Sequence, residues 1–247
     1  MIRPYTCDLH IHTCLSPCGK LDMHPQALVE AACAKNLDII AVCDHNTAEN
    51  TIYVIRAARG KKLKVIPGME VTTREEVHVV VLMPTLRRTL TLQRHIYRHL
   101  SGLNNEALFG VQAVVNERGE VEKINERLLI GATDLSLTSL VESVHALGGL
   151  AIASHIDREV FGIIGQLGFV PPKTAFDALE ISPALDIAGA RRRYPELKRY
   201  AFIKSSDAHD LCEIGRASTM MYLAAPTLTE IGSALLDKDG RRIGESP

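Results

Sequence analysis

Asp8-Leu9-His10-Ile11-His12 ends the first short apolar run of the chain. Residues two apart on an extended strand point to the same side, so His10 and His12 project together. The arrangement, an apolar run that stops at His, Asp or Glu, then recurs. Asp44-His45 follows the run at 39–43, and Pro67-Gly68-Met69-Glu70 follows the next. Ser154-His155 follows 150–153, and Ser206-Asp207-Ala208-His209 follows 201–204. His78 instead opens a run. Six of the ten histidines fall in this set, which sets it apart from chance polar strand ends.

These runs are the candidate strands, at 5–10, 38–43, 64–67, 78–83, 150–154, 178–181, 201–204 and 219–223. Helical patterns lie at 25–35, 48–59, 137–147, 160–167, 184–193 and 228–236. Pro25 suits a first helical position and Gly148-Gly149 a helix stop. Strand–helix alternation predicts an α/β fold with a parallel sheet buried on both faces. Eight strands in about 220 residues favour a closed or nearly closed, TIM-barrel-like architecture over an open doubly wound sheet. Five of the six polar features then lie at C-terminal strand ends, the face where barrel active sites sit. His78 joins them only if its strand runs antiparallel or its loop folds back. Residues 84–133 break the rhythm and read as a mostly helical insertion, with a helix around 90–100 and a small hairpin around 114–123. The stretch 237–247 reads as a frayed tail.

The 247 residues carry a formal net charge of −1, so no global field draws in nucleic acid or an anionic membrane. Aromatic residues are 4% with no Trp, a poor stacking surface for long single strands. No apolar run approaches the roughly 20 residues of a membrane span. The first residues lack the apolar region of a secretory leader. The six cysteines are scattered and read as reduced thiols, with Cys7 and Cys43 as core filling, and together these features predict a cytoplasmic protein.

Six His with Glu70 and Asp207 exceed the four to six ligands of one divalent ion. The surplus predicts two or three ions, with Glu70 and Asp207 as bridging carboxylates. Clustered ions hold the attacking and leaving oxygens of a phosphoryl displacement and supply hydroxide at neutral pH. Asp44 adjoins a proposed ligand and, like Asp8, faces away on its strand, which suits orientation of an imidazole or a helix-start turn. Arg158 and Arg216 lie on the right side of a barrel to meet a phosphate. Glu70, Asp207, Asp44, Arg158 and Arg216 are therefore the candidate catalytic residues. His95 and His99, beside Arg94 and Arg98, read as a solvated basic helix face, and His24 and His145 as ordinary surface or half-buried residues. Arg191-Arg192-Arg193 suits the negative pole of a helix.

His10-x-His12, Asp44-His45, Gly68-x-Glu70, Ser154-His155 and Asp207-x-His209 resemble, in order, the motifs of the PHP (polymerase and histidinol phosphatase) family. The resemblance runs from about Tyr5 to Gly215 and leaves the insertion uncovered. It implies a distorted (β/α)7 barrel, a trinuclear site and phosphoester hydrolysis. It also implies that His10, His12, Glu70 and Asp207 hold one metal and Glu70, His78 and His155 a second. His45 and His209 would help to hold a third. One segment departs: where many relatives have Ser-Asp-Gly, this chain reads Ser16-Pro17-Cys18-Gly19-Lys20-Leu21-Asp22. Cys18 or Asp22 is then the expected third-metal ligand, and a thiolate would favour zinc or iron over manganese or magnesium. The expected substrate is a phosphomonoester, a nucleotide or a short nucleic-acid end. Two alternatives stand beside this reading: an amidohydrolase-type carbon–nitrogen hydrolase, and a non-catalytic module stabilised by metal.

Overall fold

The computed structural model describes residues 1–244. In chain order the elements are β1 (Arg3–Ile11), α1 (Pro25–Ala34), β2 (Ile39–Val42), α2 (Thr51–Ala57), β3 (Lys64–Thr72), β4 (His78–Leu82), α3 (Leu86–His99), α4 (Glu106–Phe109), β5 (Ala113–Val115) and β6 (Val121–Ile124). They continue with α5 (Leu137–Ala146), β7 (Leu150–Ala153), α6 (Ile163–Leu167), β8 (Ala178–Ile181), α7 (Ile187–Arg193), β9 (Phe202–Lys204), β10 (Thr219–Leu223), α8 (Leu228–Leu235) and β11 (Arg242–Ile243). All eight expected strands form.

Nine strands make one curled sheet in the order β11-β10-β1-β2-β3-β4-β7-β8-β9, and β5 pairs with β6 separately. The ladders β1–β2, β2–β3, β7–β8 and β8–β9 are parallel. The far end of the sheet returns to β1: Ile11 bridges Ala208 just past β9, and the His12 amide donates to the Ala208 carbonyl at 3.0 Å. The Thr219 hydroxyl, on β10, also donates to the Lys204 carbonyl on β9 at 2.8 Å. Seven strands thus encircle a common interior, the barrel-like form expected from the sequence.

β4 is the irregular member. It pairs antiparallel with both β3 and β7. Its first residue, His78, therefore lies at the same end as the last residues of its neighbours, and the one feature at a strand start joins the others. This pairing also lengthens β3 beyond the expected stop at Pro67, because Gly68–Thr72 ladder against β4. Glu70 consequently sits within a strand and not after one.

Alternation divides the strand side chains between the interior and the packing outside the sheet. Cys7, Leu9, Ile39, Ala41, Cys43, Ile66, Val80, Leu82, Ile152, Ala178 and Ile203 pack together in the interior. Their neighbours Met69, Val71, Val79, Val81, Ala151, Ala153, Leu179 and Ile181 pack outward against Leu92 and Ile96 of α3 and Leu140 and Val144 of α5. Extending the interior series by two gives Glu70 after Ile66 and Gly68, His78 before Val80, and Glu180 after Ala178. In β1 the register with β2 shifts between Asp8 and Ile11, a bulge that allows Leu9 and His10 to leave the usual alternation.

Three expectations are corrected. The segment 84–133 is not mostly helical: α3 packs on the barrel, α4 is a single turn, and the rest is the β5–β6 hairpin and loops. This excursion is pinned beside the strand ends by side-chain amides. Asn46 donates to the Leu129 and Gly131 carbonyls at 2.8 Å each, and the Val115 amide donates to Asn50 at 2.9 Å. The tail does not fray from 237, because β11 adds to β10; residues 245–247 of that expectation lie outside the described residues. The helices expected at 160–167 and 184–193 begin later, at Ile163 and Ile187.

Gly68 faces the closest backbone approach in the interior. A Cβ there would stand 2.7 Å from the Val81 carbonyl oxygen and 3.3 Å from Cys43 Sγ. Gly68→Ala should therefore destabilise the protein by about 1–3 kcal/mol, as overpacking does. Urea denaturation measures it, and an unchanged midpoint and slope would contradict this account of the β3–β4 contact.

Candidate metal centre

The polar end of the barrel interior gathers the histidines around two carboxylates. His10 Nε2 lies 3.4 Å from Glu70 Oε1 and 3.4 Å from Asp207 Oδ1. His12 Nε2 lies 3.5 Å from Glu70 Oε2 and 3.2 Å from Asp207 Oδ1. Glu70 is also faced by His45 Nδ1 at 3.3 Å, His78 Nδ1 at 3.2 Å and His155 Nε2 at 3.4 Å. Three groups have donor atoms within 4.8 Å of one another: His10, His12, Glu70 and Asp207; His45, Glu70 and His78; and His12, His45 and His209. All eight residues named by the strand-end pattern are thus brought together. His155 reaches Glu70 but belongs to none of the three groups, whereas His45 enters two of them.

The donor set fits divalent cations. Glu70 Oε1, Asp207 Oδ1 and His45 Nδ1 are buried without a hydrogen-bond partner. The Nε2 atoms of His10 and His12 approach to 3.1 Å. Two lone pairs aimed at one point repel unless a cation or a proton lies between them. Hydrogen bonds at the far ring nitrogens direct this aim, as is usual for metal-binding histidines. His12 Nδ1 lies 2.9 Å from Ser16 Oγ, His209 Nδ1 lies 2.9 Å from the Asp207 carbonyl, and His10 Nδ1 lies 3.0 Å from Glu180 Oε1.

Electrostatics agrees with that arrangement. Burial opposes ionisation of both carboxylates, but His78 and His10 hold Glu70, and His10 and His12 hold Asp207, well below the usual carboxylate range. For His10 burial is likewise outweighed, by Glu180, Glu70 and Asp207, and its pKa rises well above 6.5; His12 is raised by Asp207 and Glu70. Burial, with the His12 charge added, lowers His45 well below its ordinary value and His209 to about 4. The shifts of His10 and His12 thus favour the protonated form, and those of His45 and His209 the neutral form.

Backbone geometry helps to place two of the clustered residues that fall outside regular strands. His155 has φ of 26° and Asp207 of 50°, left-handed conformations that cost energy for residues with a Cβ. Each turns the chain sharply just beyond a strand. Asp8 braces the second turn by accepting from the Ser206 amide at 2.9 Å and the Gly215 amide at 3.0 Å. It orients a loop, not an imidazole as expected. Asp44 accepts from the Thr13 amide at 2.7 Å, the Thr13 hydroxyl at 2.8 Å and the Ser16 hydroxyl at 2.8 Å. Asp44 therefore reaches His12 only through Ser16 and does not face the cluster as a catalytic group would.

Arg158 and Arg216 separate. Arg158 Nη1 lies 2.6 Å from Asp207 Oδ2 and is 38% exposed, a cation at the open edge of the centre. Arg216 donates to the Ser206 carbonyl at 3.0 Å and pairs with Glu213 at 2.5 Å, so it ties down the Asp207 loop away from the cluster.

Neither candidate for the missing aspartate is a member of the three groups. Residues 13–19 coil through two tight turns, Ser16 amide to Thr13 carbonyl and Gly19 amide to Ser16 carbonyl. The coil turns Ser16 inward. It leaves Cys18 on the exposed rim. Asp22 is exposed.

Of the other histidines, His24 caps α1, His145 pairs with Asp177 at 2.8 Å, and His99 pairs with Asp134 at 2.5 Å, while His95 is half-buried on α3 with its Nε2 lacking a partner, so this face is not the solvated one expected. Three contributors were missed: Ser16; Glu180; and Phe161, whose ring stacks on His78 with centroids 4.3 Å apart. Glu180 had a signal, since it is the lone charge in a buried strand and two residues from an interior alanine.

A family model described as the PHP domain matches residues 8–166. The chain belongs to the PHP family. Among curated proteins, "Uncharacterized protein YqxK" of Bacillus subtilis (strain 168) is 24% identical, over 96% of this chain and 63% of the relative. The PHP chain described here thus spans less than two thirds of that relative's length. Among solved structures, the lesion-specific endonuclease PfuEndoQ from Pyrococcus furiosus matches with a TM-score of 0.76 and 18% identity, over 98% of this chain and 58% of that one. Endonuclease Q in complex with a 27-mer duplex substrate, with an abasic lesion at the active site, matches with a TM-score of 0.73 and 17% identity, over 97% and 58%. These likenesses bear on the fold. Family membership and the buried cluster together support a metal-dependent hydrolase. No helix among the described residues is long and apolar enough to cross a membrane.

Two outcomes follow for this PHP centre. First, the folded pKa values of His10 and His12 lie above the unfolded 6.5. Their contribution to stability is complete below about 6.5 and is lost as pH rises through the folded values. Thermal melts of metal-stripped protein should fall from pH 6 to pH 9 and be restored by zinc; a flat profile would contradict the assigned proton placement. Second, Cys18→Ser and Asp22→Asn should leave the ion count per chain unchanged by elemental analysis, and a lost ion in either variant would restore that residue to the ligand set.

Proposed function

We propose that this PHP protein hydrolyses phosphoesters, on a nucleic-acid end or lesion, a nucleotide or a small phosphomonoester. The observation that carries the reading is the pair of buried carboxylates, each facing several imidazole nitrogens and each with an oxygen lacking a hydrogen-bond partner. Bound divalent ions, zinc, manganese or iron, would supply Lewis acidity to activate water and to steady charge on the phosphoryl group.

The chain's own residues divide the work by position. His10, His12, Glu70 and Asp207 hold one ion. Glu70 and His78 hold a second, with His45 and His155 on either side of that carboxylate. His45 and His209 offer imidazoles to a third place, suited to borderline-soft ions such as zinc. Arg158 binds the phosphate at the open edge and leaves Asp207 Oδ2 free for metal as it does so; a planar guanidinium matches two phosphate oxygens. The excursion within 84–133 borders the same end and shapes entry. The complex of Endonuclease Q with a lesion-bearing duplex supports nucleic acid as one substrate class to test.

Asp207→Asn should lower turnover on the order of 10²–10³-fold in the metal-loaded protein while its circular dichroism is retained. The substrate panel is p-nitrophenyl phosphate, nucleotides, short RNA and an abasic-site duplex, run beside amides and cyclic ureas. Turnover confined to the amides and ureas would replace this reading with an amidohydrolase, and a fully metallated protein inert on all of them would favour a non-catalytic module.

A further inference from the structure

We propose that Glu180 is a positioning residue that fixes two ligands of the metal centre at once, the imidazole of His10 and the backbone of His155. The inference rests on the metal reading above and extends it to a residue outside the segment 8–166 that matches the family model.

Glu180 lies on β8, which is buried throughout, and its own exposure is 2%. A lone carboxylate at that depth is strongly disfavoured unless its oxygens are engaged. They are engaged on two sides. His10 Nδ1 lies 3.0 Å from Oε1 and 3.2 Å from Oε2, so the ring edge meets the whole carboxylate. The His155 amide donates to Oε1 at 3.3 Å. The Glu180 backbone joins in, since its carbonyl accepts from the Ile156 amide at 2.8 Å.

Each contact has a consequence for metal binding. With the Nδ1 proton directed at Glu180, the Nε2 lone pair of His10 is the one available to the cluster, and ring rotation is restrained. His155 has the left-handed φ of 26°. A conformation of that kind persists only where the surroundings over-determine it. Amide donation to Glu180, with the Ile156 bond next to it, is such a determinant. Glu180 itself points no free oxygen into the three donor groups, so its action passes through the two histidines.

The test is zinc titration of chelator-stripped protein by calorimetry, with Zn²⁺ alone as the probe. Glu180→Gln keeps the size of the side chain and one carbonyl acceptor, but places an amide against the histidine ring. Zinc affinity at the tightest site should weaken about 10–100-fold, the range seen when the partner of a ligating histidine is lost. Glu180→Asp should recover less than the full affinity because the shorter arm reaches one partner only. Wild-type affinity in a folded Glu180→Gln protein overturns the proposal and leaves the metal reading intact. Failure of the unaltered protein to bind zinc overturns both.

A measurement on the unaltered protein does not depend on the variants folding. The proton spectrum of zinc-loaded protein should show a low-field, solvent-protected imidazole N–H signal that His10→Gln removes. Its absence from the spectrum of the folded, zinc-loaded protein also overturns the proposal.

Discussion

Two carboxylates lie in the dry end of a barrel, and neither can remain there as a bare anion. Removing a carboxylate from water costs far more than a single hydrogen bond returns. Glu70 and Asp207 are nevertheless held ionised, because imidazoles surround them at 3.2–3.5 Å. Those imidazoles in turn crowd one another, with two ring nitrogens 3.1 Å apart. Opposed anions and opposed lone pairs are mutually satisfied only by cations among them.

The barrel makes this tolerable by grading its interior. Alternate residues of the strands are apolar along most of their length and become polar only at the last inward position. Glu70, His78 and Glu180 mark where β3, β4 and β8 turn polar. The antiparallel course of β4 keeps His78 in the same layer, and the bulge in β1 brings His10 into it. The strained turns at His155 and Asp207 complete the ring where strands have ended. The rest of the interior is ordinary aliphatic packing.

Around the clustered residues lies a layer of groups with no direct reach to the centre. Asp44 acts on His12 through Ser16, Asp8 and Arg216 brace the loop that carries Asp207, and Glu180 joins His10 to His155. Asx side chains at 46 and 50 tie the excursion to the same rim. A rigid support of this kind suits chemistry in which ions must be held at fixed separations.

The sequence alone determined the α/β alternation, the eight strands, the end of the barrel that matters and the His, Asp and Glu residues that meet there. It could do so because strand period is two and because polar residues at apolar strand ends need a common reason. The tertiary structure decided the remainder. Sequence offered two courses for the strand at 78–83, and only pairing with β3 and β7 selects the antiparallel one. The coil at 13–19, set by backbone hydrogen bonds, turns Ser16 in and Cys18 out, which no count of residues from His12 reveals. Arg158 and Arg216 look alike in the chain, and only their partners, Asp207 for one and Glu213 with the Ser206 carbonyl for the other, separate a cation at the centre from a loop brace. Glu180 is the clearest case: its strand neighbours mark it as inward, but its two histidine partners are 170 and 25 residues away in the chain, and a contact of that kind exists only once the barrel has closed around it.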